Sequence, residues 1–79
     1  ASGVGALTGP VVRGDAGTVA AHLRELTALA GREPTSADVA PTYRALARGA
    51  VARALAGGRL TTTQAQDVLD VLGPTPEDR

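Results

Sequence analysis

The densest set of residues that could do chemistry is Thr8-Gly9-Pro10-Val11-Val12-Arg13-Gly14-Asp15, which leads into a predicted helix. It joins two glycines, an arginine and a helix N-terminus. Free backbone amides and the helix dipole favour an anion at such a place, so this stretch could hold a carboxylate or phosphate. The same residues also fit a plainer role, a tight turn in which Asp15 caps the helix and Arg13 pairs with Asp15 or faces solvent. Arg13-Gly14-Asp15 matches an adhesion tripeptide, but three residues recur by chance and nothing else in the chain points outside the cell.

The remaining polar residues form no reactive set. His22 is the sole imidazole and sits beside Leu23 on the flank of a helical stripe, where packing or hydrogen bonding is its ordinary use. Ser2 and Ser36 lie in the opening segment and a linker, in no motif that activates a hydroxyl. Asp67 and Asp70 read as a solvated helix face. Arg44, Arg48 and Arg53 could meet an acidic partner or simply confer solubility. One histidine and no cysteine make a structural zinc site implausible. No Gly-rich phosphate fingerprint follows a strand, so none of these residues is expected to bind a nucleotide.

Three helices must position these groups. The first is expected over about 15–30, capped by Asp15, stopped by Gly31, with Val19, Leu23, Leu26 and Ala30 as its buried stripe. After a polar linker with Pro34, the second is expected over about 38–56, with Pro41 tolerated in the first turn. Its face is Val39, Tyr43, Leu46, Ala47, Ala50 and Ala54, widened by Val51 and Leu55, and Gly57-Gly58 ends it. The third, about 62–72, is announced by Thr61-x-x-Gln64, a capping box, and carries Ala65, Val68, Leu69 and Leu72. Residues 1–14 read as a Gly/Pro loop or the truncated end of an upstream helix, and 73–79 as a disordered tail. The fold class is therefore all-α: a three-helix unit behind a Gly/Pro loop, of a dimerisation type.

Composition limits what such a unit can be. Seventy-nine residues bury only about 60–65% of their unfolded surface, so the core is thin. Disulfides cannot reinforce it, and Phe, Trp and Met are absent, with Tyr43 the sole aromatic. Oligomerisation or attachment to another domain is the remaining reinforcement, and an apolar, Gly-punctuated opening fits a piece of a longer protein. Eight basic and eight acidic residues cancel, which argues against a nucleic-acid partner. A faint helix-turn-helix look ends at the third helix, which carries Asp67 and Asp70 and no basic residue. No apolar run approaches the roughly 20 residues that span a bilayer, so no membrane partner is expected. With no secretory leader, the default location is cytoplasmic.

Ala6-Leu7-Thr8-Gly9-Pro10-Val11-Val12-Arg13-Gly14-Asp15, then Thr18-Val19, His22-Leu23, Tyr43-Arg44-Ala45-Leu46-Ala47 and a Gly-Gly-Arg-Leu turn, carry a family resemblance over about residues 6–72. The chain resembles the C-terminal helical domain of Rossmann-like proteins with domain of unknown function 2520, related to pyrroline-5-carboxylate reductase and to the 6-phosphogluconate dehydrogenase C-terminal-domain-like superfamily. That resemblance implies a separate N-terminal domain holding NAD(P), no cofactor in this chain, and an all-α part that forms homodimers and borders the substrate cleft. It also implies that Thr8, Gly9, Pro10, Arg13, Gly14 and Asp15 stand where related reductases hold a substrate carboxylate. Thr8 would offer a hydroxyl, the Gly9 and Gly14 amides would donate, and Arg13 would grip the anion bidentately. The residue order differs from those reductases, and so the substrate can differ. The expected role is a non-catalytic dimerisation and substrate-cleft domain of an oxidoreductase-like protein. The alternative is a free-standing helical interaction module.

Overall fold

A computed structural model describes residues 3–73, with side chains from Thr8 onward. The fold is all-α. Four α-helices follow in order: α1 (Gly3–Val12), α2 (Ala16–Arg32), α3 (Val39–Ala56) and α4 (Thr62–Leu72), with a single 3₁₀ turn at Pro34–Ser36 between α2 and α3. The assembly is a slab only 18 Å thick, roughly two helix diameters. Helix α3 is its spine and packs against α1, α2 and α4, while α2 also meets α1 and α4.

The first correction to the sequence reading is α1. The Gly/Pro loop expected before a three-helix unit is helical from Gly3, so the domain has four α-helices. Pro10 lies in the last turn and removes one helical hydrogen bond, that to the carbonyl of Ala6. Tertiary burial outweighs that loss. Pro10 is buried, Val11 is wholly buried, and the Pro10 carbonyl is used by the Asp15 amide at 2.8 Å.

Helix α2 starts where Asp15 caps it but runs past Gly31 to Arg32. Gly31 is not the stop, because Pro34 is. The residue before a proline is pushed out of the helical region, and Glu33 is extended at φ −133°, ψ 100°. Helix α3 ends in a Schellman motif. Gly58 adopts φ +77°, its amide donates to the Leu55 carbonyl, and the Arg59 amide reaches back to Ala54 at 2.8 Å. Helix α4 opens on the Thr61/Gln64 capping box, with both reciprocal hydrogen bonds formed.

The core joins Val11 of α1, Val19 and Leu23 of α2, the Tyr43–Ala47–Ala50–Val51–Ala54 face of α3, Leu60, and Ala65, Val68 and Leu72 of α4. Leu55, expected to widen the α3 face, is 39% exposed. It lies about 100° around the helix from Ala54, off the stripe that α1 and α4 cover. Leu26, Val39 and Leu46 are half-buried. The tail expected from residue 73 lies, beyond Gly73, outside the described residues.

Arg44 and Arg48 are not merely solvated charges. Arg44 Nε donates to the Leu72 carbonyl at 3.1 Å, and Arg48 Nη2 donates to Gly73 O at 3.0 Å and Leu72 O at 3.4 Å. Two guanidinium groups from α3 thus satisfy carbonyls that the C-terminus of α4 leaves without helical partners. Replacing both by Gln should lower urea-measured stability by about 1–2 kcal/mol. Arg24→Gln, at an exposed position of α2, should change it by less than about 0.5 kcal/mol. Equal losses in the two would contradict the clamp.

Candidate functional site

The six candidate residues sit at the α1–α2 corner, and its geometry is a pair of helix caps sharing one residue. Gly14 adopts φ +72°, the left-handed conformation of a C′ residue. Its amide donates to Val11 O at 3.0 Å, and the Asp15 amide donates to Pro10 O at 2.8 Å, completing a Schellman motif on α1. Asp15 then serves α2 as N-cap. Its Oδ1 accepts from the Thr18 amide at 3.2 Å and its Oδ2 from the Thr18 hydroxyl at 2.7 Å. A chain leaving one helix and entering another within three residues has few other ways to satisfy its end groups.

This arrangement divides the six residues. The Gly14 amide is committed inside the turn. The first turn of α2, the expected anion seat, holds the chain's own Asp15 carboxylate. Hydrogen bonding from the Thr18 side chain, and next from its amide, keeps that carboxyl below its ordinary pKa, with the positive field of Arg13 adding to the effect. Arg13 is exposed and forms no ion pair with Asp15. Its guanidinium folds back over Gly9 so closely that a Cβ there would stand 3.1 Å from Nη1. Thr8 lines a depression of about 430 Å³ together with Arg53 and Arg59. From sequence Arg53 reads only as one of three arginines that could meet an acidic partner or confer solubility, and Arg59 is not singled out; only the fold brings the α3 C-terminus beside α1.

His22 is half-buried and meets the Tyr43 ring edge-on, with centroids 6.3 Å apart, a packing role. The Tyr43 hydroxyl is buried with no hydrogen-bond partner, and burial pushes its pKa above the ordinary phenol value. Asp67 and Asp70 are exposed on α4, where Gln66 Nε2 donates to Asp70 at 2.8 Å. Among the described residues no three His, Cys, Asp or Glu side chains gather as a metal site, and no helix is long and apolar enough to cross a membrane. Gly3-Val4-Gly5 has the glycine spacing that opens a dinucleotide loop, but it lies within α1 rather than between a strand and a helix, so these residues do not fit a dinucleotide.

The corner sets two expectations. Gly14→Ala should cost about 1–3 kcal/mol, because a methyl there is strained by φ and would sit 3.1 Å from Gln64 Cβ. Gly31→Ala, with nothing within 4 Å, should gain about 0.5–1 kcal/mol as a helix-interior exchange; denaturant midpoints of both variants decide. The lowered Asp15 pKa means its contribution is fully present above the ordinary carboxylate range and lost as pH falls through the folded-state value. Asp15→Asn should therefore lose less stability than the wild type between neutral and acid pH, and parallel acid curves would refute this.

No curated protein and no solved structure matches the chain. A family model described as a domain of unknown function (DUF2520) matches residues 1–50, which take in α1, α2 and the first two thirds of α3. The match includes the whole α1–α2 corner and ends short of residue 72, the limit expected from the resemblance. The chain belongs to the DUF2520 family.

Proposed function

We propose that this chain is the helical C-terminal part of a Rossmann-type, NAD(P)-dependent oxidoreductase-like protein, where it dimerises and borders the substrate cleft. The reading rests on family membership over a stretch that contains the Thr8–Asp15 corner. Hydride transfer then belongs to a separate dinucleotide-binding domain, and this chain supplies shape, a neighbouring subunit and polar groups at the cleft edge. Arg13, exposed at the corner, is the member whose side chain is best placed to meet an anionic substrate, since the Gly14 amide and the Asp15 carboxylate are engaged in capping. The dimer contact in this reading lies on α2 and α3, where Leu26, Val39 and Leu46 border an apolar cleft of about 220 Å³. A slab 18 Å thick supports a need for neighbours.

Three measurements test the proposal. The coding sequence of the longer protein should place a strand followed by Gly-x-Gly-x-x-Gly ahead of this domain; its absence would favour a free-standing interaction module. Sedimentation should show a dimer, and a monodisperse monomer at high concentration would contradict the α2–α3 contact. In the longer protein, Arg13→Ala should weaken binding or turnover of an anionic substrate by more than a few-fold, and unchanged kinetics would remove Arg13 from the cleft.

A further inference from the structure

The depression of about 430 Å³ beside α1 has two walls of different chemistry. Val12, Ala50 and Ala54 supply its apolar lining; Thr8, Arg53, Gly57 and Arg59 supply the rest, and among the described residues no acidic side chain lines it. Neither arginine has a carboxylate partner among the described residues. Both backbones are fixed, since the Arg53 carbonyl takes the Gly57 amide at 3.0 Å and the Arg59 amide is the closing bond of the Schellman motif. Arg53 is further seated by Gly49, where a Cβ would stand 3.3 Å from its Nη1. Both arginines line one concavity, so an anion seated there would meet two positive charges.

We propose that this depression binds a small organic anion, its carboxylate or phosphate held by Arg53 and Arg59 and its carbon body lying on Val12, Ala50 and Ala54. The end of a helix is by itself unfavourable to an anion. Here the Arg53, Ala54 and Leu55 carbonyls are already engaged by the amides of residues 57 to 60, so the two guanidinium groups dominate. The site shares Thr8 with the corner but does not rest on the oxidoreductase reading. It also avoids the first turn of α2, where the Asp15 carboxylate would repel a ligand.

The test is a ¹⁵N NMR titration of the full chain at low ionic strength with isobutyrate, acetate and inorganic phosphate, using chloride as the ionic-strength control. Isobutyrate should produce saturating shifts at the Val12, Ala50, Ala54 and Gly57 amides, and acetate should need higher concentrations because it covers less of the floor. Arg53→Gln and Arg59→Gln should each weaken isobutyrate by about tenfold, with the backbone spectrum intact because both side chains are exposed. Arg24→Gln should leave the affinity unchanged. Shifts reproduced by chloride, affinities unaltered by either α3-end variant, or shifts centred on Gly17 and Thr18 would overturn the proposal. Phosphate binding more tightly than isobutyrate would overturn the role of the apolar floor.

Discussion

The structure depends on how closely three helices can approach α3. Ala40, Ala47, Ala50 and Ala54 are all buried along that helix, and α1, α2 and α4 lean on the face they help to form. Small side chains permit close contact, but each removes little apolar area from water, and at about 25 cal/mol per Å² an alanine contributes a fraction of what a leucine would. The larger apolar groups are therefore supplied by the neighbours: Val11, Val19, Leu23, Val68 and Leu72 press against the alanine-rich face. Tyr43 is the one bulky residue α3 contributes to the shared core, and its buried, unpartnered hydroxyl is a cost the thin core carries for an aromatic ring.

With so little apolar area, loose helix ends would be a serious loss, and five of them are closed by specific caps. The C-termini of α1 and α3 use Schellman glycines, the N-termini of α2 and α4 use Asp15 and Thr61, and the C-terminus of α4 borrows two arginines from α3. Most of this was legible in the sequence, because capping is local. Asp15, the Thr61-x-x-Gln64 box and Gly57-Gly58 announce themselves within a few residues. What was not legible is non-local. Nothing near Arg44 or Arg48 in sequence says that the α4 carbonyls lie beside them, and nothing near Pro10 says that burying Val11 will outweigh a missing hydrogen bond. Gly31 misled for the opposite reason: it has the type of a stop signal, while Pro34, three residues later, has the stereochemistry of one.

The same distinction explains the candidate site. Thr8 to Asp15 was recognisable as a special segment, and the structure gives a structural reason for its glycine and aspartate: two helices meet there with only Arg13, Gly14 and Asp15 between them. That reason uses up the Gly14 amide and the Asp15 carboxylate. The exposed Arg13 side chain takes no part in these caps, so the segment is largely structural and still carries a charge at its edge. Arg53 and Arg59 join Thr8 only because α3 returns past α1, a relation fixed by tertiary contact.

Arg13 and Arg53 share one further device, and it bears on how a neutral chain can focus positive charge. Each lies four residues after a glycine, Gly9 and Gly49, and each guanidinium occupies space a Cβ at that glycine would contest, at 3.1 Å and 3.3 Å. Helical side chains lean toward the N-terminus, so the residue at i−4 is what a long side chain lies upon. A glycine there leaves room for the planar group to lie against the helix. Glycine inside a helix is unfavourable by roughly 1 kcal/mol relative to alanine. Two such glycines therefore cost the helices in which they lie, and the room that each leaves is taken by a guanidinium.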